Sequence, residues 1–180
     1  MKTDHVDAVL AGWAEEWPEL DASAQGVIGR ISRLSRFLER DLVRVFGEFG
    51  LTGGEFDVLA TLRRALGSRG SLTPTELTAA CMLSSAAMTH RIDRLEQADL
   101  VSRDRDSADR REVSVRLTSK GQALIEQALV VHTGNESRML DALTAEDRES
   151  LAGLLRKLLQ PIEAHGGISI KPRNTEDERA

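Results

Sequence analysis

Cysteine is almost absent from this chain, and with it goes the chemistry that pairs of thiols carry. The single residue, Cys81, excludes an intrachain disulfide. Its neighbours Ala79, Ala80, Met82 and Leu83 are apolar, the usual company of an inert small hydrophobe; the alternative use of a thiol there is redox sensing. The four histidines, His5, His90, His132 and His165, are scattered and have no metal-ligand spacing to cysteine or to one another. His132 and Glu136 share a helix face, but one such pair is commonplace. No glycine-rich phosphate loop follows a strand and no nucleophile elbow occurs, so neither an enzyme nor a cofactor is expected. Apolar runs of membrane-spanning length are missing, and Met1-Lys2-Thr3-Asp4-His5 lacks the apolar run of a signal peptide. The expected compartment is therefore the cytoplasm, with no membrane partner. Nor is positive charge in excess: the formal net charge is −5, which argues against wholesale polyanion binding and leaves local basic clusters to decide.

What is present suffices for a core, because 41% of the 180 residues are hydrophobic, enough for one domain with extensions. From Asp4 to Glu16 apolar residues recur at helical spacing before Pro18 interrupts. Val27, Ile31, Leu34, Leu38, Leu42, Val45 and Phe49 then continue at intervals of three or four residues, which predicts one long helix with a single apolar stripe ending at Gly50. Thr52-Gly53-Gly54-Glu55 reads as a capping box opening a helix to about Leu66, and Gly67-Ser68-Arg69-Gly70 as a loop. Thr73-Pro74-Thr75-Glu76 repeats the capping logic with proline at the first helical position. A short helix to Cys81, a turn at Met82-Leu83-Ser84, and a helix capped by Ser84 or Ser85 and running to about Ala98 complete a helix pair.

On that second helix Met88, Ile92 and Leu95 share one face, while Ala86, Thr89, His90, Asp93 and Gln97 fall opposite. A small polar face of this kind admits close approach to a DNA major groove; the plain alternative is a solvated surface. Arg91 lies about 60 degrees from Met88 on the wheel, towards the core side, and so is a poor base reader. It is placed to meet Asp57, either as a plain ion pair or with an anionic ligand between them. Val101-Ser102-Arg103 and Glu112 to Leu117 read as strands, the second with Val113, Val115 and Leu117 inward. Between them, Asp104 to Arg111 is a charged turn. Its arginines can reach phosphates or a minor groove, although a charge run by itself is most often a solvated turn. Two short helices followed by a charged hairpin form a winged helix-turn-helix. Thr118 caps a second long helix with Leu124, Ala128 and Val131, and Thr144 opens a last one with Leu151, Leu155, Leu158 and Ile162. These carry more apolar surface than one small lobe can bury, which predicts a helical, two-fold subunit interface.

From about Val27 to Ile162 the chain resembles the MarR family of dimeric winged-helix transcription regulators. Asp109, Arg110, Arg111, Val113, Val115, Leu117, Thr118 and Gly121 match that family's wing-to-helix pattern, and Met88 to Glu96 looks like its recognition helix. The N-terminal helix, with Trp13, Pro18, Leu20, Asp21 and the run Gly26 to Arg30, together with Gly54 to Arg64, is similar to the urate-responsive PecS-like branch. Trp17 departs from that branch, where a charged residue is more usual. The resemblance implies an effector crevice formed by Trp13, Asp57, Arg91 and Arg103. It also implies recognition helices in successive major grooves, with wings on the flanking minor grooves.

The expected fold is thus mostly α with a small β wing (α+β). Residues 1–22 form an N-terminal extension helix, 23–50 and 119–165 a helical dimerisation region, 51–118 the DNA-binding lobe, and 166–180 a disordered tail. The expected function is a homodimeric, ligand-responsive repressor, released from a pseudopalindromic operator in double-stranded DNA by a small-molecule effector such as urate or another anionic aromatic. DNA contacts are expected from Ser84, Ser85, Ala86, Thr89, His90, Asp93, Arg94, Arg105, Arg110 and Arg111. A redox regulator acting through Cys81 and a winged-helix protein-interaction module are the competing readings.

Overall fold

The computed structural model describes residues 3–67, 70–105 and 113–164. The charged turn with Arg110 and Arg111, the side chain of Arg105 and the tail beyond residue 164 lie outside the described residues, as does most of the loop after Gly67. The chain forms two compact units, Met1–Asn135 and Glu136–Ala180.

Helix α1, His5–Glu16, begins at a capping box that the sequence did not advertise: the Asp4 carboxylate accepts from the Val6 and Asp7 amides, and the Asp7 carboxylate accepts from the Asp4 amide at 2.8 Å. Arg30 of α2, Gln25–Gly47, reaches both carboxylates, at 2.9 Å to Asp4 and 2.6 Å to Asp7. Val6 is buried against α2, where Gly26 and Gly29 leave room for Leu10 and Val6 of α1. The apolar stripe of α2 divides along its length. Val45 and Phe46 enter the core, whereas Val27, Ile28, Leu34 and Phe37 stay exposed, with Arg33 and Arg40 stacked over the Phe37 ring. Gly50, at φ +68°, turns the chain out of α2 in a left-handed conformation that glycine adopts without steric cost.

Helices α3 (Gly53–Ala65), α4 (Pro74–Cys81) and α5 (Ser85–Gln97) form the helix-turn-helix lobe. Both expected capping boxes are present, Thr52 with Glu55 and Thr73 with Glu76, and Pro74 opens α4. Strands β1 (Val101–Arg105) and β2 (Val113–Leu117) pair antiparallel with Val101 opposite Leu117 and Arg103 opposite Val115. β1 is two residues longer than its composition suggested, because the ladder continues through Asp104 and Arg105. Leu72 adds a short third bridge, exchanging both backbone hydrogen bonds with Val115 at 3.0 and 2.8 Å. The core gathers Leu59, Leu62, Leu77, Met88, Ile92, Leu95, Val115 and Ile125 from α3, α4, α5, β2 and α6 (Ser119–Met139). Phe46 stacks on Phe56 with ring centroids 4.2 Å apart, and the His132 ring meets Phe56 edge-on at 4.8 Å.

In the second unit, Thr144 and Asp147 form a side-chain and backbone cap before α7, Ala145–Ala164. No residue of α7 is buried, although Leu151, Leu155, Leu158 and Ile162 fall along it as expected. Among the described residues no helix is long and apolar enough to cross a membrane.

Candidate nucleic-acid interface

Helix α5 is positioned from three sides. Met88, Ile92 and Leu95 are at most 1% exposed and fix its rotation. At its start the Ser84 hydroxyl accepts from the Ala87 amide at 3.3 Å, so Ser84 is the N-cap. At its end Lys120 Nζ donates to the Ala98 carbonyl at 2.7 Å, placing a cation on the negative end of the helix dipole. Thr118 Oγ1 donates to the Asp99 carbonyl at 2.8 Å and the Thr118 amide donates to the Leu100 carbonyl at 3.1 Å, which ties α5, the ribbon and α6 into one joint. Gly121 is required at this joint, because a Cβ there would collide with the Leu100 carbonyl.

This frame leaves Ser84, Ser85, Ala86, Thr89 and His90 exposed along the outward face. The first turn of α5 carries no acidic residue, so its free amides and dipole remain available to a phosphate. Thr89 Oγ1 donates to the Ser85 carbonyl at 3.0 Å and keeps an acceptor outward. The two charged positions expected on the DNA face have partners within the protein. Arg94 Nε pairs with Glu55 at 3.1 Å, and Glu55 is 3% exposed. Its carboxylate also accepts from the Thr52 amide and hydroxyl, each at 2.8 Å. Asp93 is half-buried and pairs with Arg103 of β1, which also donates to Glu96 at 2.6 Å. Arg103 is accordingly held more firmly protonated, first by its hydrogen bond with Asp93 and then by the charges of Glu96 and Asp93.

The four residues expected to line one effector crevice have the following surroundings. Trp13 is partly exposed on α1 and Arg103 is engaged by α5. Arg91 and Asp57 are electrostatically coupled. The Arg91 guanidinium lies in the space that a side chain at Gly54 would fill, and its Nη1 is buried without a hydrogen-bond partner. That nitrogen therefore makes no plain tie to Asp57. Asp57 lines a cleft of about 370 Å³, whose walls also include Thr61, Arg64, Cys81, Met82 and His132. Trp13, Arg91 and Arg103 are not on those walls. Loss of water around Asp57 pushes its carboxyl above the usual range, although Arg91, His132 and Arg64 each pull the other way. Arg64 Nη2 donates to Thr61 Oγ1 at 2.9 Å, and that oxygen lies 3.7 Å from the Cys81 sulfur. Arg64 and Thr61 share a helix face with Asp57 through their spacing of three and four residues, a signal present in the sequence but without meaning until the cleft is seen. Among the described residues no three His, Cys, Asp or Glu side chains come together in a way that would hold a metal ion.

Comparison with known proteins finds relatives in both sequence and structure. The pattern of the MarR family matches residues 51–113. The chain is 37% identical over 153 residues to the HTH-type transcriptional regulator PecS of Dickeya dadantii (strain 3937), spanning 85% of this chain and 92% of PecS. It is similar in structure to AbsC, a MarR family transcriptional regulator from Streptomyces coelicolor, with a TM-score of 0.70 and 29% identity over 81% of this chain and 95% of AbsC. A cysteine-to-serine mutant of MarR from E. coli, solved in complex with operator DNA, gives a TM-score of 0.65 at 28% identity, covering 82% of this chain and 97% of that one.

Proposed function

The chain belongs to the MarR family, a DNA-binding transcriptional regulator and not an enzyme, and from that membership we propose that it is a homodimeric repressor released from a pseudopalindromic operator by a small anionic effector. In this reading residues 1–22 form an accessory helix, 23–50 and 119–165 join two copies, and 51–118 is the DNA-binding lobe. The exposed apolar rows of α2 and α7 support the dimer, since faces of this length are normally covered in a soluble assembly. Ser84, Ser85, Ala86, Thr89 and His90 meet base edges or phosphates, with Asp93 and Arg94 flanking them. Arg105, Arg110 and Arg111 meet the flanking backbone or minor groove.

The observation that carries the effector is the buried, unpartnered Nη1 of Arg91 beside the desolvated carboxyl of Asp57. A buried donor without an acceptor is costly, and a planar anion would satisfy it. Urate, the effector class of the PecS-like branch, is the first ligand to try. The cleft beyond Asp57 supplies Arg64 and Thr61 as further donors and an apolar floor. Binding there changes DNA affinity only if the effector prefers one spacing of the two lobes over the other.

To test this, binding to the DNA upstream of the chain's own gene is measured as salt is raised. Specific binding weakens steeply, and Arg110→Ala lowers the slope of log K against log salt by about one. Failure to select any sequence refutes the regulator. Urate is then titrated into the complex of wild type, Asp57→Ala and Arg91→Ala with thermal stability followed alongside. Release from wild type and retention by both variants is expected, and a wild-type complex indifferent to urate removes that ligand.

A further inference from the structure

We propose that Arg103 is a positioning residue for DNA binding: it holds the wing strand β1 against the recognition helix and cancels the charge of Asp93 and Glu96, so that neither carboxylate faces a phosphate uncompensated. The proposal rests on the DNA-binding reading above and assigns Arg103 a role other than holding an effector.

The geometry is that of a clamp. Asp93 and Glu96 are three residues apart on α5 and therefore neighbours on its surface. A single guanidinium spans them, with Nη2 donating to Asp93 and Nη1 to Glu96 at 2.6 Å. Both terminal nitrogens of Arg103 are thus turned to α5. The ties made by Thr118 and Lys120 hold the chain where α5 ends and the ribbon begins. Arg103 acts two residues further along β1, opposite Val115, and sets the pitch of the ribbon about that base. Its side chain is only 31% exposed, so the pair is partly shielded from salt. Further out, Arg116 pairs with Asp104 across the ribbon at 2.8 Å and is not free to replace it. Without Arg103 two carboxylates on the flank of α5 would stand unopposed beside a polyanion, and like charges brought together at an interface are strongly unfavourable. A lysine keeps the charge but lacks the planar fork that reaches two acceptors at once.

The test separates this clamp from a direct contact. Wild-type protein selects a preferred duplex from a randomised library. Affinities for that duplex and for a scrambled one are then measured, over a range of salt, for Arg103→Gln, Arg103→Lys and the triple variant Asp93→Asn/Glu96→Gln/Arg103→Gln. Arg103→Gln is expected to lose on the order of tenfold in specific affinity, Arg103→Lys less, and the triple variant to return to within about threefold of wild type with the salt slope of wild type retained. Thermal unfolding confirms that each variant is folded, and Arg103→Lys keeps the comparison available should the glutamine variant be unstable. Wild-type affinity in Arg103→Gln, a triple variant as weak as Arg103→Gln, or a salt slope lowered by about one, the mark of a lost phosphate contact, each overturns the clamp. If no duplex is selected at all, the DNA-binding reading falls and takes this proposal with it, whereas a selected duplex insensitive to Arg103 overturns the clamp alone.

Discussion

Replacing Gly121 by alanine sets two opposite expectations against each other. Gly121 is buried in the first turn of α6, where its amide donates to the capping Thr118 hydroxyl at 3.0 Å. On helix propensity alone, alanine at this position would stabilise by about 1 kcal/mol. The new methyl, however, would occupy the place of the Leu100 carbonyl. That carbonyl is not free to retreat: it accepts the Thr118 amide at 3.1 Å, and the Leu100 amide is itself bound to the Leu95 carbonyl at 2.9 Å. Overpacking against a fixed group costs about 1–3 kcal/mol, and weakening the Thr118 bond adds about 1 kcal/mol. After subtracting the propensity gain, a loss of about 2 kcal/mol remains, which lowers the melting temperature by roughly 4–8 °C in a chain of this size. Calorimetry at one protein concentration checks this, the concentration being fixed because association would shift the transition. A variant as stable as wild type, or more so, refutes the claim that glycine is kept here by the Leu100 carbonyl.

Gly54→Ala is the contrasting case, because the nearest atoms its methyl meets are at the far end of the flexible Arg91 side chain and not backbone; stability should stay within about 1 kcal/mol of wild type while release from DNA by urate is lost, and an unimpaired response would detach Arg91 from the effector. Glu55→Gln removes a buried charge that receives the Thr52 amide, the Thr52 hydroxyl and Arg94; urea unfolding should show a loss of about 1–2 kcal/mol, and no loss would mean that the α3 cap contributes nothing. Asp57 has its carboxyl raised in the folded protein by desolvation, so the stability it contributes is present below the usual carboxylate range and lost as pH rises through the folded value. Asp57→Asn does not titrate, and its melting temperature should exceed that of wild type near about pH 7 but not near about pH 3; the reverse order would show that Arg91, Arg64 and His132 outweigh the loss of water.

The helix boundaries were legible because their signals are local. Thr52 with Glu55, Thr73 with Pro74 and Glu76, and Ser84 all act within three residues of where they stand, and each caps its helix in the structure. The rotation of α5 was legible for a related reason: Met88, Ile92 and Leu95 repeat with the helical period, and the core excludes water from all three. What was not legible joins elements distant in the chain. Leu72 is an ordinary leucine until β2 arrives beside it. Glu55 reads as half of a capping box, and nothing local says that its second oxygen will meet Arg94. Nothing local to Arg103 says that the register of the ribbon will bring it to both Asp93 and Glu96. The Asp4 and Asp7 box on α1 lacks the serine or threonine of the common pattern, and its significance appears only with Arg30 between the two carboxylates.

The charges of the recognition helix bear on how its position could be controlled. Helix α5 carries Arg91, Asp93, Arg94 and Glu96. Asp93 and Glu96 are taken up by β1 and Arg94 by α3, while Arg91 is turned inward against Gly54. The outward face is left with hydroxyls, a methyl and an imidazole, groups suited to close contact with base edges but poor in fixed charge. In a chain of net charge −5, attraction to phosphate must then come from the helix N-terminus and from arginines off the helix, Arg110 and Arg111 in the proposed reading. In the proposed reading, such a division means that an effector does not have to neutralise any charge on the reading face. Arg94, Asp93 and Glu96 already link α5 to α3 and β1, so in the proposed reading a ligand that moves Arg91 acts on a helix whose remaining charges tie it to α3 and to the wing together.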